Sequence, residues 1–270
     1  MSLDVRKSVD ELTEVEMINY ANAFSKLLDI SKQLQSDNRG FYYVAGFHGW
    51  PDNWCWHHLV RRRKGTTSRP LRLFFPWHRA YLMDLEQRLQ DFIDAVRIPW
   101  WDWTSNISRR NGIPKLFTDK SIGGKPNPFV SIDLPNNIPR DPGAPRPLKT
   151  WRSPGPKSAL PKKASIDFAL GKNDFEDAEL FIENLHDQIH GWVGGTMSVV
   201  ATAAYDMIFY SHHCMIDRIW YLWQKKHGNA SGLEDLLDEP LPPFRRTVKG
   251  VLDIHQLGYD YAVNSATIEL

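Results

Sequence analysis

The sequence contains only two cysteines among 270 residues, Cys55 and Cys214. Two thiols exclude a disulfide framework and a zinc site built from several thiolates. No apolar run approaches the roughly 18 residues of a membrane span, and the N-terminus has no signal-peptide core. We therefore expect a cytoplasmic protein without a membrane partner. The net charge of +1 also predicts no nucleic-acid partner.

Aromatic and imidazole rings are abundant instead, with 11 Trp, 9 Tyr, 13 Phe and 10 His. Such a composition predicts a rigid interior rich in rings. A chain of this length can bury a hydrophobic core without a structural metal. A metal bound to these histidines would therefore serve chemistry rather than folding.

Four segments carry the periodicity of amphipathic helices. The first spans residues 11–35 and has a capping box from Thr13 to Glu16, and the second has Pro76 in its first turn. The other two cover residues 174–190 and 206–226. Histidines on paired helices predict a mainly α fold, with an antiparallel four-helix bundle core, long irregular loops and a binuclear site built inward.

The rest of the sequence predicts loops. The chain is expected to form a single domain of residues 1–270. Gly, Pro, Trp and basic residues from Phe41 to Arg72 indicate an ordered loop. Residues 106–163 contain most of the 18 prolines. This proline content predicts an insert with little regular structure that covers the core. Residues 229–270 form a C-terminal extension, in which VLDIHQLGYDY is a candidate strand or a closing loop.

Two histidines in the stretch FIENLHDQIHGWVGG stand four residues apart, so their rings project from a helix one turn apart. Other histidines occur in GFHGW, CWHH, FFPWHR and YSHHCMIDRIW. Three neutral imidazoles for each ion, with no carboxylate ligand, favour copper or zinc. Two groups of three histidines therefore predict two ions.

The motifs FFPWHRAYL, PWWDW, LHDQIHGWVGG and DMIFYSHHCMIDRIW resemble those of the type 3 copper proteins. This family comprises tyrosinases, catechol oxidases and molluscan haemocyanins. The resemblance runs from about residue 40 to residue 226 and implies two copper ions. It implies that the second copper is bound by three histidines: His186, His190 and His213. The downstream member of the double histidine is the ligand, which gives His212 a packing role.

The same resemblance assigns His48 and His78 to the first copper. In most relatives a further ligand precedes His78 by nine residues, but Arg69 stands at that position. Arginine keeps its proton and has no lone pair for a metal. His57 is the predicted ligand, because Cys55 and His57 keep the C-x-H spacing of many relatives, and His58 is the alternative. Some relatives carry a thioether between these two side chains, so Cys55 is a candidate for such a bond.

By resemblance, the protein would use dioxygen to oxidise o-diphenols to o-quinones and also to hydroxylate monophenols. A catechol oxidase or o-aminophenol oxidase without monophenolase activity is the alternative. Many monophenol-active relatives have Asn after the first ligand of the second copper, where this chain has Asp187, and a glutamate upstream, for which Glu179 is the candidate. Gly191 would leave access for bulky phenols, and Met197 would line the entrance.

Two other function classes are weighed against the oxidase. A haemocyanin-like dioxygen carrier has the same copper pair but a covered site. A zinc hydrolase needs a general-base carboxylate, as in H-E-x-x-H, which LHDQIH lacks. Some bacterial relatives without a signal peptide use a small partner for copper delivery or export, so such a partner is included as an expectation.

Overall fold

The computed structural model describes residues 3–57, 72–139 and 148–263. These residues form a mainly α fold with long irregular connections, as predicted. Seven α-helices are described: α1 Glu14–Gln33, α2 Phe41–His48, α3 Phe74–Gln90, α4 Asn106–Asn111, α5 Lys163–Leu170, α6 Phe175–Val193 and α7 Ile208–His227. The strands are β1 Asp4–Arg6, β2 Ser121–Ile122, β3 Lys125–Pro126 and β4 Tyr259–Tyr261.

Local sequence signals explain where the long helices begin. The hydroxyl of Thr13 accepts a hydrogen bond from the Glu16 amide, and the Glu16 side chain accepts one from the Thr13 amide, which completes the predicted capping box. Asp174 caps α6 in a similar way. Pro76 lies in the first turn of α3, where its missing N–H costs no helical hydrogen bond.

The prediction of a loop from Phe41 onward was wrong for residues Phe41–His48, which form α2. This segment is apolar on nearly every face and therefore has no helical periodicity to detect. It is helical because it packs against α1 and against the turn Ala203–Tyr205, so that Phe41, Val44 and Phe47 are buried.

The insert predicted at residues 106–163 is mostly irregular where the structure describes it, apart from α4 and the β2–β3 hairpin. Its apolar side chains lie in the core, among them Phe117, Phe129 and Leu160. The guanidinium of Arg152 fastens it by donating to the carboxylate of Asp206 and to the carbonyl oxygens of Phe117 and Phe129.

The two ends of the described chain meet beside the helical core. β1 pairs with β4 in parallel, so only the last three residues of VLDIHQLGYDY form a strand, and most of the residues before them form turns. Arg6 on β1 is fully buried and forms ion pairs with Glu86 of α3 and Asp217 of α7. Arg79, next to His78, also pairs with Asp217. This network joins both termini to the helices that carry His78 and His213.

The core is rich in large rings, as the composition predicted. Four tryptophans are almost completely buried in it: Trp77, Trp100, Trp101 and Trp103. Among the described residues, no helix combines the length and apolar character that a membrane crossing requires.

Candidate metal centre

Five of the six predicted ligand histidines lie on helices. His48 ends α2, His78 lies in the second turn of α3, and His213 lies in the second turn of α7. His186 and His190 share one face of α6. His57 lies on the loop after α2. All six rings converge in the interior, where every ring except that of His190 is buried.

The rings of His48, His57 and His78 form one group. Their ring centroids lie 5.4 Å apart for His48 and His57, 5.7 Å for His48 and His78, and 5.3 Å for His57 and His78. The Nε2 atoms of His48 and His57 are 3.3 Å apart. The structure therefore brings together the three residues predicted for the first ion.

His186, His190 and His213 form the second group. The Nε2 atom of His213 lies 3.1 Å from that of His186 and 3.4 Å from that of His190. The groups are adjacent, since the rings of His78 and His213 stack with centroids 4.4 Å apart. Two neighbouring three-histidine groups can hold a pair of ions that act on one small molecule.

The hydrogen bonds of three rings indicate which ring nitrogen carries the hydrogen, and this assignment leaves the other nitrogen able to bind a metal. The Nδ1 atoms of His78, His186 and His190 face acceptors, namely Phe74 O at 2.8 Å, Asp187 Oδ1 at 3.0 Å and Met197 O at 2.7 Å. Each Nδ1 therefore carries the hydrogen, and each Nε2 keeps a lone pair. The Nε2 atom of His78 is buried without a hydrogen-bond partner in the described structure.

The short Nε2–Nε2 separations have the same implication. Two nitrogen ligands at about 2.0–2.1 Å from one tetrahedral ion are roughly 3.3 Å apart. The observed separations of 3.1–3.4 Å match this value. In the metal-free protein such contacts can be N–H···N hydrogen bonds in which one Nε2 carries a proton, and a bound ion would take the place of that proton. The donor set therefore fits two ions held by imidazole nitrogens.

Burial keeps most of these rings neutral, which ligation requires. It lowers the pKa of His48, His78, His186 and His213 well below the ordinary value, and that of His190 to about 4. His57 is the exception. Burial opposes its charge, but hydrogen bonds with Cys55 and Glu183 outweigh that effect and raise the pKa of His57 to about 10. A metal ion would displace this proton.

Other residues of the predicted constellation also lie near the rings. His212 is buried and stacks on His186 with centroids 5.1 Å apart, in keeping with a packing role. Cys55 is a buried free thiol whose sulfur lies within 4.8 Å of ring nitrogens of His48 and His57. The alternative ligand His58 and the arginine at position 69 lie outside the described residues.

Two phenylalanines that sequence reasoning did not select pack against both groups. Phe209 lies 4.6 Å from His48 and 4.1 Å from His213 between ring centroids. Phe74 lies 4.7 Å from His78 and 5.0 Å from His186. Their places in FFPWHR and DMIFY were the available signal, but only the folded chain shows that each contacts both halves of the centre.

Of the two carboxylates selected from the sequence, Asp187 and Glu179, only Asp187 lines a cavity beside the histidines. Asp187 is half exposed and lines a cavity beside the centre, where it accepts from His186. Glu179 is buried, accepts from the Phe75 amide and is not among the residues that line this cavity. Glu183, which was not selected, lines it and lies 3.4 Å from His57. Its three-residue spacing from His186 places both on one helix face and could have revealed it.

The cavity next to the histidines has a volume of about 280 Å³. Gly191 lines it, and a Cβ added at this glycine would meet no atom within 4 Å. Met197 is buried in its wall and also supplies the carbonyl that orients His190. The outer wall includes Val200, which is 46% exposed. The histidines can therefore be reached from the surface.

Comparison with known protein families identifies relatives of the whole described fold. The model of the common central domain of tyrosinase matches residues 38–167 and 163–226. A haemocyanin of Enteroctopus dofleini (A-type, units Ode to Odg) is 30% identical over 289 residues, covering 98% of this chain and 21% of the relative. A haemocyanin of Sepia officinalis (units G and H) is 32% identical, covering 89% of this chain and 42% of the relative. The chain thus spans less than half the length of these curated relatives.

Solved structures show the same fold. A functional unit of octopus haemocyanin superposes with a TM-score of 0.73 at 29% identity, covering 95% of this chain and 67% of that chain. The tyrosinase from Burkholderia thailandensis at high pH gives a TM-score of 0.77 at 23% identity, covering 98% and 74%. At 23% identity, the similarity to the Burkholderia thailandensis structure shows a shared fold and nothing more.

Proposed function

The chain belongs to the type 3 copper family of tyrosinases and haemocyanins, and we propose that it is an oxidase that uses dioxygen to convert o-diphenols to o-quinones. Proteins of this family bind a binuclear copper centre, and the spacing of the two histidine groups fits such a pair. We assign the first copper to His48, His57 and His78. We assign the second copper to His186, His190 and His213.

The cavity beside the histidines is the observation that carries the oxidase proposal. A volume of about 280 Å³ accommodates a single-ring phenol, and its wall includes His48, His57, His186 and His190. A carrier needs access only for dioxygen, whereas an oxidase must bring an organic ring to the metals. The exposed wall at Asp187, Gly191 and Val200 supplies that access.

Each part of the cavity has a role in this proposal. Gly191 leaves room for the substrate ring, and the buried Met197 side chain forms an apolar wall. Phe74 and Phe209 pack against the ligand rings and exclude water from behind the centre. Bound copper supplies redox chemistry with dioxygen and the Lewis acidity that lowers the pKa of a phenol. The protein holds the pair and orients the substrate.

We also propose that the enzyme hydroxylates monophenols, with Asp187 as the acceptor of the phenol proton. Its carboxylate is half exposed at the cavity wall and lies next to a ligand of the second copper. Burial raises the pKa of Asp187, which makes it a better base. Glu179 was predicted to assist, and that role stays a prediction. Glu183 also lines the cavity, where its carboxylate lies 3.4 Å from Nδ1 of His57.

A thioether between Cys55 and His57 is proposed as part of the same site. The Cys55 sulfur and the His57 nitrogens belong to one group of potential ligand atoms that lie within 4.8 Å of one another. Such a bond would restrict rotation of the imidazole. The bond would replace the Cys55 S–H and one ring C–H of His57, and the dioxygen used by the proposed oxidase would take up the two electrons and two protons. Peptide mass measurement of the copper-loaded protein after exposure to dioxygen tests this proposal through the loss of two hydrogens.

A dioxygen carrier is the second candidate, because the curated relatives that match the chain at 30–32% identity are haemocyanins. Oxygen uptake by the copper-loaded protein with a monophenol, the matching o-diphenol and an o-aminophenol separates the candidates. The oxidase consumes oxygen repeatedly with the o-diphenol. A carrier shows the near-ultraviolet band on treatment with peroxide but no turnover, and that result would refute the oxidase proposal.

A further inference from the structure

His57 differs from the other five proposed ligands because no helix holds its ring. The loop that carries it is tied to the fold through backbone hydrogen bonds of earlier residues. Trp50 donates to Ala201 at 3.1 Å, and Trp54 donates to Phe47 at 2.8 Å. Within the described structure, the polar contacts of the His57 ring are all with side chains, namely those of His48, Cys55 and Glu183.

Glu183 provides a contact on the side of this ring that faces away from the metal position. The Nε2 atom of His57 faces the Nε2 atom of His48 at 3.3 Å, while its Nδ1 atom lies 3.4 Å from Oε1 of Glu183. The side chains of His57 and Glu183 are only 9% and 5% exposed. A carboxylate that accepts from Nδ1–H fixes the tautomer that leaves the Nε2 lone pair for the metal.

Helix α6 carries a similar arrangement one turn later. Asp187 accepts from Nδ1 of His186 at 3.0 Å, and it lies four residues after Glu183. Residues four apart share a helix face, so α6 presents two successive carboxylates to ligand rings. One ring belongs to the first group and the other to the second. The helix that binds the second ion also orients a ligand of the first.

We propose that Glu183 is a positioning residue for the first copper, which acts by orienting His57 and by joining the loop after α2 to α6. The inference rests on the proposed assignment of His57 as a ligand, and it adds a residue that the sequence prediction did not select. Loss of a carboxylate partner behind a metal-bound histidine typically weakens metal binding by about 10–100-fold. The effect should fall on one ion of the pair.

The test uses full-length, copper-loaded protein with Glu183→Gln and Glu183→Ala. Asp177→Asn is the matched control, because it also converts a carboxylate to an amide on α6 but is exposed. Stopped-flow extraction by a copper chelator measures the loss of each ion, and electron paramagnetic resonance detects the lone cupric ion left after one is removed. Circular dichroism establishes that each variant is folded.

We expect Glu183→Ala to lose one ion at least about tenfold faster than wild type while the other is retained. Glu183→Gln keeps an acceptor oxygen in a side chain of nearly the same shape. It should lose that ion at a rate between those of wild type and Glu183→Ala. Equal acceleration for both ions would indicate a general loss of structure and overturn the proposal. Unchanged extraction with loss of monophenol hydroxylation alone would also overturn it, because Glu183 would then act on the substrate.

Failure of the positioning role of Glu183 can be distinguished from failure of the oxidase proposal. If wild-type protein binds two ions but does not oxidise an o-diphenol, the oxidase proposal fails. The difference in extraction between the Glu183 variants and the Asp177 control remains measurable in that case. Conversely, an active enzyme whose Glu183 variants release both ions at the wild-type rate retains the oxidase proposal and refutes the positioning role.

Discussion

At the scale of single residues, His57 and its neighbour at position 58 offer the sharpest test of the ligand assignment. His57 lies 3.3 Å from His48 between Nε2 atoms, with its ring in the first group. We expect His57→Ala to lose about one copper per chain, because two imidazoles remain where a stable site needs three. Elemental analysis after reconstitution and removal of free metal measures this loss.

The control is His58→Ala, which we expect to retain both ions. It changes the same side chain at the next position of the CWHH motif. If His58→Ala loses an ion while His57→Ala keeps two, the ligands are reassigned. If neither variant loses an ion, the first copper has a ligand elsewhere.

Gly191 gives a second prediction at the residue scale, about access to the cavity. A Cβ here meets no atom within 4 Å, so Gly191→Ala should fold normally and gain about 0.5–1 kcal/mol of unfolding free energy from its better helix propensity. Gly191→Trp places a large ring at the cavity wall. We expect it to raise KM for a bulky o-diphenol more than for catechol.

Steady-state kinetics with both substrates, together with urea unfolding, measures the two effects. Gly191→Ala serves as the control for the larger substitution, because it adds only a methyl group. An equal change in KM for both substrates in Gly191→Trp would show that substrates do not pass this residue.

The resemblance of the histidine motifs to a known family predicted the six histidines but not the residues behind them. Imidazoles at motif spacings point to metal binding whatever surrounds them. Glu183 and Phe209 acquire their roles only through contacts between distant segments, since Glu183 reaches His57 and Phe209 reaches His48. Such contacts depend on how the helices pack, which single-residue reasoning does not supply.

At the scale of secondary-structure elements, Asp217 of α7 joins three parts of the fold. It accepts from Arg79 of α3 at 2.5 Å and from Tyr259 of β4 at 2.7 Å, and it pairs with Arg6 of β1 at 3.3 Å. The three charged residues are buried. This network holds α3 and α7 in register, and with them His78 and His213.

We predict that Asp217→Asn lowers the unfolding free energy by about 3–5 kcal/mol at neutral pH, because it leaves the buried guanidinium of Arg79 without a carboxylate and leaves Arg6 with Glu86 alone. Burial opposes the charge of Asp217, but Arg79 and Arg6 outweigh it and lower its pKa below 3.8. The stabilisation is therefore complete above pH 3.8 and is lost as the pH falls through the lower, folded-state value. The difference between wild type and variant should shrink in that range.

Urea unfolding at a series of pH values measures this dependence. The control is Asp84→Asn, which removes a more exposed i,i+4 pair with Arg88 on α3. We expect it to cost no more than about 1 kcal/mol. A loss in Asp217→Asn as small as this would show that the buried network does not stabilise the fold.

Element boundaries were predictable where local chemistry defines them. The capping box at Thr13 and Pro76 in the first turn of α3 act within a few residues, and the sequence contains all that is needed to recognise them. Helix α2 was missed for the opposite reason. Its run FYYVAGFH is apolar on most faces, and its helical form depends on burial against α1.

At the scale of the whole molecule, the histidine centre is set in a core that does not depend on metal. Aromatic side chains surround it, including Trp77 and Tyr81 next to His48. The insert covers part of that core with Phe117, Phe129 and Ile132. Five of the six ligand rings are kept neutral by burial, and the charged ring of His57 lies 3.4 Å from the carboxylate of Glu183, so removal of the ions leaves no unpaired ring charge in the interior. The chain is therefore large enough, and its ligands neutral enough, to fold before copper binds.

We predict that metal-free protein retains its helices and its tertiary packing, unlike small zinc domains that unfold without their ion. Copper should then stabilise only by mass action, by about 2.7 kcal/mol for each site at a free concentration 100-fold above its dissociation constant. His57→Ala, with one ion, should show roughly half of the total gain. Far- and near-ultraviolet circular dichroism and calorimetry, with and without chelator, measure these quantities. Loss of the near-ultraviolet signal on chelation would contradict the prediction and make the copper pair a structural requirement.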